Sequence, residues 1–384
     1  MIALTATAGF TPLEKIESAV VLVEDGVIAS IGTRDEVEIP GGARVVDMGD
    51  AALAPGLVDI HIHGGAGHDV METAPDALAC IEQLLFRHGV TAYLPTTVTA
   101  PIDATLAALE RLAKAIESKA HPGNQARPVG IHLEGPFLSH ARRGVHPVEH
   151  LLPPTIEAFE RFWQAAHGHI KMITIAPELN GAAEVIREAT RRGVCVSLGH
   201  SDARLKTARA AVDIGARHAT HTFNAMRPMA HRDPGIIELV LTDDRMTGDI
   251  IADGIHLDPA IVKLFVRSKS PARAVLITDA LAATGMPEGK YRLGEMEFEV
   301  KQGKCLSRGT LAGSILTMDQ ALRNVMIFAE LSFQEALRTA SLNPAAAAGF
   351  PLKRGKLEAG AAADLVVFNH KHEVVRTIVG GMGV

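Results

Sequence analysis

Pro55-Gly56-Leu57-Val58-Asp59-Ile60-His61-Ile62-His63-Gly64-Gly65 marks the point where the texture of this chain changes. Before it, the first 55 residues read as short strands and turns. After it, short apolar runs alternate with helical stretches. The strand candidates are Leu57–Ile62, Val90–Pro95, Val129–Leu133, Ile170–Ile175, Val194–Leu198, His218–His221, Thr247–Ile251 and Ala274–Thr278. Between them the pattern predicts helices over Asp76–His88, Asp103–Ser118, Thr155–Ala166, Ala182–Arg192, Arg204–Ile214, Gly235–Thr242 and Asp258–Arg267. Eight strands in a βα alternation is the number a closed (β/α)₈ barrel needs. Runs such as Val194-Cys195-Val196-Ser197-Leu198 suit parallel strands covered by helices.

Working outward, Val20–Val23 and Val27–Ile31 flank Glu24-Asp25-Gly26, whose Asp-Gly pair signals a hairpin. Ala43–Val46 is a further strand candidate. Beyond the eighth strand, Tyr291–Leu306 reads as an inserted hairpin and Met318–Ala329 and Ser332–Ser341 as helices. Ala345–Ala348 reads as a helix end, and Ala363–Phe368 and Val374–Val379 return to strand texture. The expected fold is α/β: a TIM-type barrel over residues 56–351, with a small β-sandwich domain built from 1–55 and 352–384.

The 384 residues are 47 % apolar and 21 % charged, enough for a large core and unlike a disordered chain. A net charge of −6 lacks the basic footprint of a nucleic-acid binder. Cys80, Cys195 and Cys305 are odd in number and far apart, which argues against a disulfide framework or a thiolate zinc site. The N-terminus has no basic region followed by a long apolar stretch, and no apolar run is long enough to span a bilayer. A soluble cytoplasmic protein is expected. Its unusual feature is 18 histidines against only 4 % aromatic residues, histidine being the commonest metal ligand.

Strand side chains alternate faces, so His61 and His63 point one way and Ile60 and Ile62 the other. At the end of a first barrel strand that direction is the mouth of the barrel, where active sites of this architecture lie. Four more candidate ligands occupy corresponding strand ends: Glu134, His200, His221 and Asp279. A buried Glu needs a cation, and a metal supplies one. Imidazoles and carboxylates without thiolates suit Zn²⁺ or Fe²⁺ in a catalytic site. Such an ion lowers the pKa of bound water from about 15.7 to about 7 and polarises a carbonyl. Asp279 is placed to carry the proton from water to a leaving amine. These are the parts of a hydrolase for amide-like bonds.

His-x-His after strand one, His after strands five and six, and Asp after strand eight resemble the amidohydrolase superfamily. Many members carry a metal-bridging carboxylated lysine at the end of strand four. Here Lys171 sits near the start of that strand, which argues against the dihydroorotase and hydantoinase branches. The bridging role then falls to Glu134. The motifs HLEGPF (132–137), LGHSDA (198–203), THTFNAM (220–226), ADGIHL (252–257), TDA (278–280) and GTLAGS (309–314) resemble, in order, the N-acetylglucosamine-6-phosphate deacetylase family.

That resemblance, which covers nearly the whole chain, implies a role for each matching residue. Glu134, His200 and His221 match the metal site kept across the family, and His61 and His63 match a second-site pair that some members lack. A binuclear site is then permitted, with Asp279 on the second metal: one or two ions of Zn or Fe per subunit. Asp279 matches the catalytic acid/base, and His146 a histidine that polarises the substrate carbonyl. Substrate contacts would come from Val145, Asn224 with Ala225, Arg232, the 253–256 segment with His256, and Leu311-Ala312-Gly313. Arg232 and His256 would meet the sugar phosphate and hydroxyls. The implied reaction is hydrolysis of the acetamide of an amino-sugar phosphate, and the implied assembly is a homodimer. The 4-epimer, N-acetylgalactosamine 6-phosphate, is the competing substrate. Another amidohydrolase activity, a metal-dependent sugar-phosphate isomerase and an inactive scaffold are further competing readings, the last disfavoured because all six candidate ligands are kept.

Other residues need no function. Arg142-Arg143 and Arg191-Arg192 read as solvated charge, and His88, His121, His150, His167, His169, His370 and His372 as surface or capping residues. Met226 and Met229 read as core.

Overall fold

The structure, a computed structural model, describes residues 1–118, 122–294, 296–350 and 353–383. His121 and the expected boundary at residues 351 and 352 lie outside the described residues. Both ends of the chain meet in one seven-stranded sheet. Its order is Val374–Ile378, Leu365–Phe368, Ala52–Pro55, Ile2–Phe10, Lys15–Glu24, Val27–Thr33, with Arg44–Asp47 also paired to Ile2–Phe10. The expected hairpin is present: Glu24 pairs with Val27, and Asp25 and Gly26 are left-handed at φ 49° and 77°. A two-residue type I′ turn requires that conformation at both positions. Ile2–Phe10 was not visible in the sequence, because three Ala and a Gly dilute the strand preference of its Ile, Thr and Phe residues. Its neighbours hold it, antiparallel on one edge and parallel on the other.

All eight expected parallel strands occur: Leu57–Ile62, Val90–Thr97, Ile131–Glu134, Ile170–Ile175, Cys195–Leu198, His218–Ala219, Gly248–Ile251 and Ala274–Ile277. The first six pair side by side in chain order in a curled sheet, with the short strand Arg127–Pro128 also on Val90–Thr97. The last two pair with each other. Hydrogen bonds span both gaps. Thr222 N–H donates to the Asp249 carbonyl at 2.8 Å, and Asp279 N–H to the His61 carbonyl at 2.9 Å.

Leu57–Ile62 and Val90–Thr97 are buried at every position, as parallel strands are when helices cover them. The covering helices are Ala77–Arg87, Ile102–Glu117, Ile156–Ala165, Ala182–Arg191, Leu205–Asp213, Ile236–Thr242 and Pro259–Lys269. Local chemistry sets their starts: Thr155 Oγ1 accepts from Ala158 N–H at 3.1 Å, and Asp258 caps a helix whose first residue is Pro259. Met318–Ala329, Phe333–Ala340 and Leu342–Ala347 follow.

Three expectations change. The inserted hairpin is a four-stranded antiparallel sheet, Gly289–Leu293, Met296–Lys301, Lys304–Ser307 and Thr310–Leu311. Met226 is core, but Met229 is 50 % exposed, on the segment leading to Ile236–Thr242. The strand expected over 218–221 stops at Ala219, because His221 turns left-handed at φ 32°.

Candidate metal centre

The turn at His221 is one of three. His200 (φ 46°) and Asp279 (φ 49°) also leave their strands left-handed, a conformation that costs a non-glycine residue free energy and concentrates at functional sites. Each turn follows the C-terminal end of a parallel strand. His61 and His63 share a face as strand alternation requires, with Nε2 atoms 3.2 Å apart. The six side chains form two buried trios, His61–His63–Asp279 and Glu134–His200–His221.

Glu134 joins them. Its Oε2 lies 3.1 Å from His63 Nε2 and 3.5 Å from His61 Nε2. Its Oε1 lies 3.1 Å from both His200 and His221 Nε2. Asp279 Oδ1 is 3.3 Å from His63 and 3.5 Å from His61. His200 and His221 bring their Nε2 atoms to 3.0 Å. Two imidazole lone pairs at such a distance repel unless a proton or a cation lies between them, so the arrangement calls for positive charge.

The far sides of the rings fix which nitrogen is free. His63 Nδ1 donates to the Thr96 carbonyl and His200 Nδ1 to the Arg142 carbonyl, both at 2.9 Å. That leaves Nε2 lone pairs facing inward, as metal-ligating histidines need. The donor set fits a divalent cation. Buried groups support it from beneath: Asp249 accepts from the His221 N–H and sits 2.9 Å from His218 Nε2. Asp59 accepts from Thr278 Oγ1 at 2.5 Å and from His61 N–H at 3.3 Å, and burial pushes its carboxyl up to about 7. His132 stacks edge-on against His61 at 4.8 Å.

Without a metal, protons supply the charge. Burial opposes charging His63, yet its contacts with Asp279 and Glu134 push it up to about 10. Burial likewise opposes His221, but Glu134 lifts it to about 9. Burial alone would raise Glu134, whereas the surrounding imidazoles hold it well below the carboxylate range. A cation in either trio takes the Nε2 of its raised ring, His63 in one and His221 in the other, and must displace that proton. Because the pKa values are raised, the rings stay protonated through neutral pH, and metal affinity rises with pH toward 9. Each trio holds one such ring, so each ion displaces one proton and gains roughly tenfold in affinity per unit between about pH 6 and 8. Chelator-competition titrations of the metal-free protein check this, and an affinity flat across that range would mean neutral rings.

A cavity of about 360 Å³ opens over the trios. It is lined by His63, Glu134, His200, His221 and Asp279, and by His146, Val145, Asn224, Ala225, His256, Leu311, Ala312 and Gly313. His61 is fully buried below it. Arg232 is exposed and does not line the cavity. The arginine that does is Arg142, paired with Asp202 at 2.8 Å, which corrects its reading as solvated charge. Its neighbour Arg143 is half-buried, and Arg192 packs over the Trp163 ring at 5.0 Å.

His256 Nδ1 lies 2.7 Å from Asp253 Oδ2, which orients its ring. Asn224 Nδ2 is buried without a hydrogen-bond partner. His146, on a loop, is only 4 % exposed, and burial holds it down to about 3, a neutral ring. Asp59 and His132 were missed although strand alternation signals both, two residues before His61 and Glu134.

The amidohydrolase family model matches residues 52–384. The N-acetylglucosamine-6-phosphate deacetylase of Bos taurus is 40 % identical over 348 residues, covering 87 % of this chain and 84 % of that protein. The N-acetylgalactosamine-6-phosphate deacetylase of Escherichia coli O157:H7 is 38 % identical, covering 90 % and 89 %. Among solved structures, a mutant N-acetyl-D-glucosamine-6-phosphate deacetylase of Mycobacterium smegmatis, in complex with N-acetyl-D-glucosamine-6-phosphate, superposes with a TM-score of 0.92. It is 35 % identical and covers 99 % of this chain and 98 % of that one.

Proposed function

This chain belongs to the amidohydrolase family, and from that premise we propose that it hydrolyses the acetamide of N-acetylglucosamine 6-phosphate to glucosamine 6-phosphate and acetate. The observation that carries the reading is one carboxylate, Glu134, shared by two buried His-containing trios on the floor of a cavity. Glu134, His200 and His221 would hold one divalent ion, and His61, His63 and Asp279 a second. A bound ion supplies Lewis acidity toward water and carbonyl oxygen.

The chain's own groups do the rest. Asp279 Oδ1, beside His61 and His63, takes the proton of the attacking water and returns it to the departing nitrogen. His146 faces the cavity as a neutral ring and meets the acetamide oxygen. Asn224 Nδ2, unpartnered in the protein, is free to bond the sugar phosphate. His221, Phe223 and Ala225 alternate in left-handed geometry along this segment, a backbone pattern that builds anion-binding concavities. Arg142 adds a guanidinium at the cavity wall, and His256 a ring oriented by Asp253. Arg232 belongs to the same reading by resemblance, as does a homodimer.

Further parts of the proposal have their own support. Zinc or iron, as one or two ions, suits a donor set of imidazole and carboxylate without thiolate. A closed eight-stranded barrel is favoured by the hydrogen bonds across both gaps in the parallel sheet. A separate β-domain from the chain ends is favoured by its own apolar cluster, centred on Leu4, Val21, Leu53 and Leu365. Three free cysteines agree with a reducing compartment such as the cytoplasm.

Acetate release followed by proton NMR tests the function. Equal samples receive N-acetylglucosamine 6-phosphate, its 4-epimer, or unphosphorylated N-acetylglucosamine. The first is expected to be hydrolysed fastest and the last hardly at all. The Escherichia coli relative makes the 4-epimer the second reading, which a faster rate on that sugar would establish. No acetate from any of them would end the proposal.

A further inference from the structure

His146 and Thr99 meet although 47 residues separate them. Thr99 follows the strand Val90–Thr97, and His146 sits on the loop between the short turns His140–Arg142 and Val148–His150. Thr99 Oγ1 lies 2.8 Å from His146 Nδ1. The Thr99 backbone N–H also points at that nitrogen, at 3.4 Å. Both residues are almost fully buried. Gly135, left-handed at φ 74°, leaves the space: a Cβ there would lie 2.3 Å from Thr99 Oγ1.

A hydroxyl beside an imidazole nitrogen is ambiguous, because it donates or accepts equally well. A backbone N–H is not ambiguous, since it only donates. Two donors on Nδ1 therefore require a bare Nδ1, which puts the proton of the neutral ring on Nε2. The other side of the ring agrees. His146 Nε2 is 3.6 Å from Glu134 Oε2, where a proton is attracted and a lone pair repelled.

We propose that Thr99 is a positioning residue that locks His146 in the Nε2–H tautomer, so that the ring presents a fixed donor to the acetamide oxygen as negative charge develops there. A donor held in place before reaction stabilises the transition state without reorganising. In the opposite tautomer Nε2 would present a lone pair to that oxygen. The inference rests on the deacetylase reading for its consequence, though not for the tautomer itself.

The test uses the full-length protein labelled with [¹⁵N]histidine. Long-range ¹H–¹⁵N spectra, with the His146 signals assigned by their loss in His146→Gln, report which nitrogen carries the proton, in metal-free and metal-loaded samples alike. The Nε2–H tautomer is expected, and an Nδ1–H tautomer would overturn the proposal. Kinetics give the second readout. Thr99→Val should lower kcat roughly ten- to a hundredfold, the cost of misplacing a reacting group, with KM within about threefold. Thr99→Ser should restore most of the loss. Adding Thr99→Val to His146→Gln should cost nothing further, because Thr99 acts through His146. Full additivity in the double variant would make Thr99 merely structural and overturn the assignment. The spectrum decides the tautomer whether or not acetate is released. A protein that fails to deacetylate therefore counts against the function, and a wrong tautomer counts against Thr99.

Discussion

Glu134→Gln is expected to abolish deacetylation and metal retention together. Each oxygen of this carboxylate faces two imidazole Nε2 atoms, Oε1 toward His200 and His221, Oε2 toward His61 and His63. An amide of the same shape keeps one oxygen and turns an NH₂ group toward the other pair. That pair then loses its anion and gains a competing donor. Changes to groups that merely support metal ligands cost about 10–100-fold, so loss of the shared ligand should exceed that, to roughly a thousandfold or more in kcat/KM. Metal per chain after dialysis should approach zero by elemental analysis. His61→Ala serves as the contrast, because it leaves Glu134, His200 and His221 intact and is expected to retain metal there. A Glu134→Gln protein with full metal content and normal turnover would sink the shared-ligand assignment.

The convergence of the six candidate ligands was legible in the sequence for a simple reason. Parallel strands of a βα alternation all end on one side, so residues at strand ends converge however the intervening helices vary. Period-two alternation carried His61 and His63 to the same face, and it carried Asp59 and His132 as well. Those two support the candidate ligands from below, and they were legible in principle from the same parity.

Loop partners were not legible. His146 reaches the cavity because Thr99 and the room left by Gly135 receive it, and no local pattern encodes a contact across 47 residues. Arg142 shows the same limit, since an Arg-Arg pair on a loop gives no sign of which guanidinium turns inward. Asp202 decides that here. Left-handed turns at His200, His221 and Asp279 were equally hidden, because the sequence marks such geometry clearly only where glycine supplies it. Strand Ile2–Phe10 failed for the opposite reason: its pairing is tertiary, and its Ala and Gly residues dilute the preference of Ile2, Thr5, Thr7 and Phe10.

Asp279→Asn should lower kcat by roughly 10²–10⁴ while leaving the fold intact, the range expected when a positioned acid/base is removed. The backbone tolerates the change, because Asn, like Asp, accepts the left-handed conformation found here. The bonds from Asp279 N–H to the His61 carbonyl and from Ser314 N–H to the Asp279 carbonyl involve no side chain. What disappears is basicity at Oδ1, beside His61 and His63.

The pH behaviour separates this role from others. Burial alone would raise the carboxyl, but the charge of His61 and the contact with His63 hold it down to about 2. A divalent ion in place of those protons acts in the same direction. A depressed pKa means the base form is present above about 2, hence complete from pH 5 to 9. Any acidic limb in that range then comes from protons competing for the histidine ligands. The Asn variant should keep that limb at the same pH while its plateau falls. Measuring kcat from pH 5 to 9, with metal content checked at each point, distinguishes the cases. A plateau within about threefold of the wild type would move proton transfer to another group. A limb displaced by more than one pH unit would show that Asp279 itself titrates in the working range.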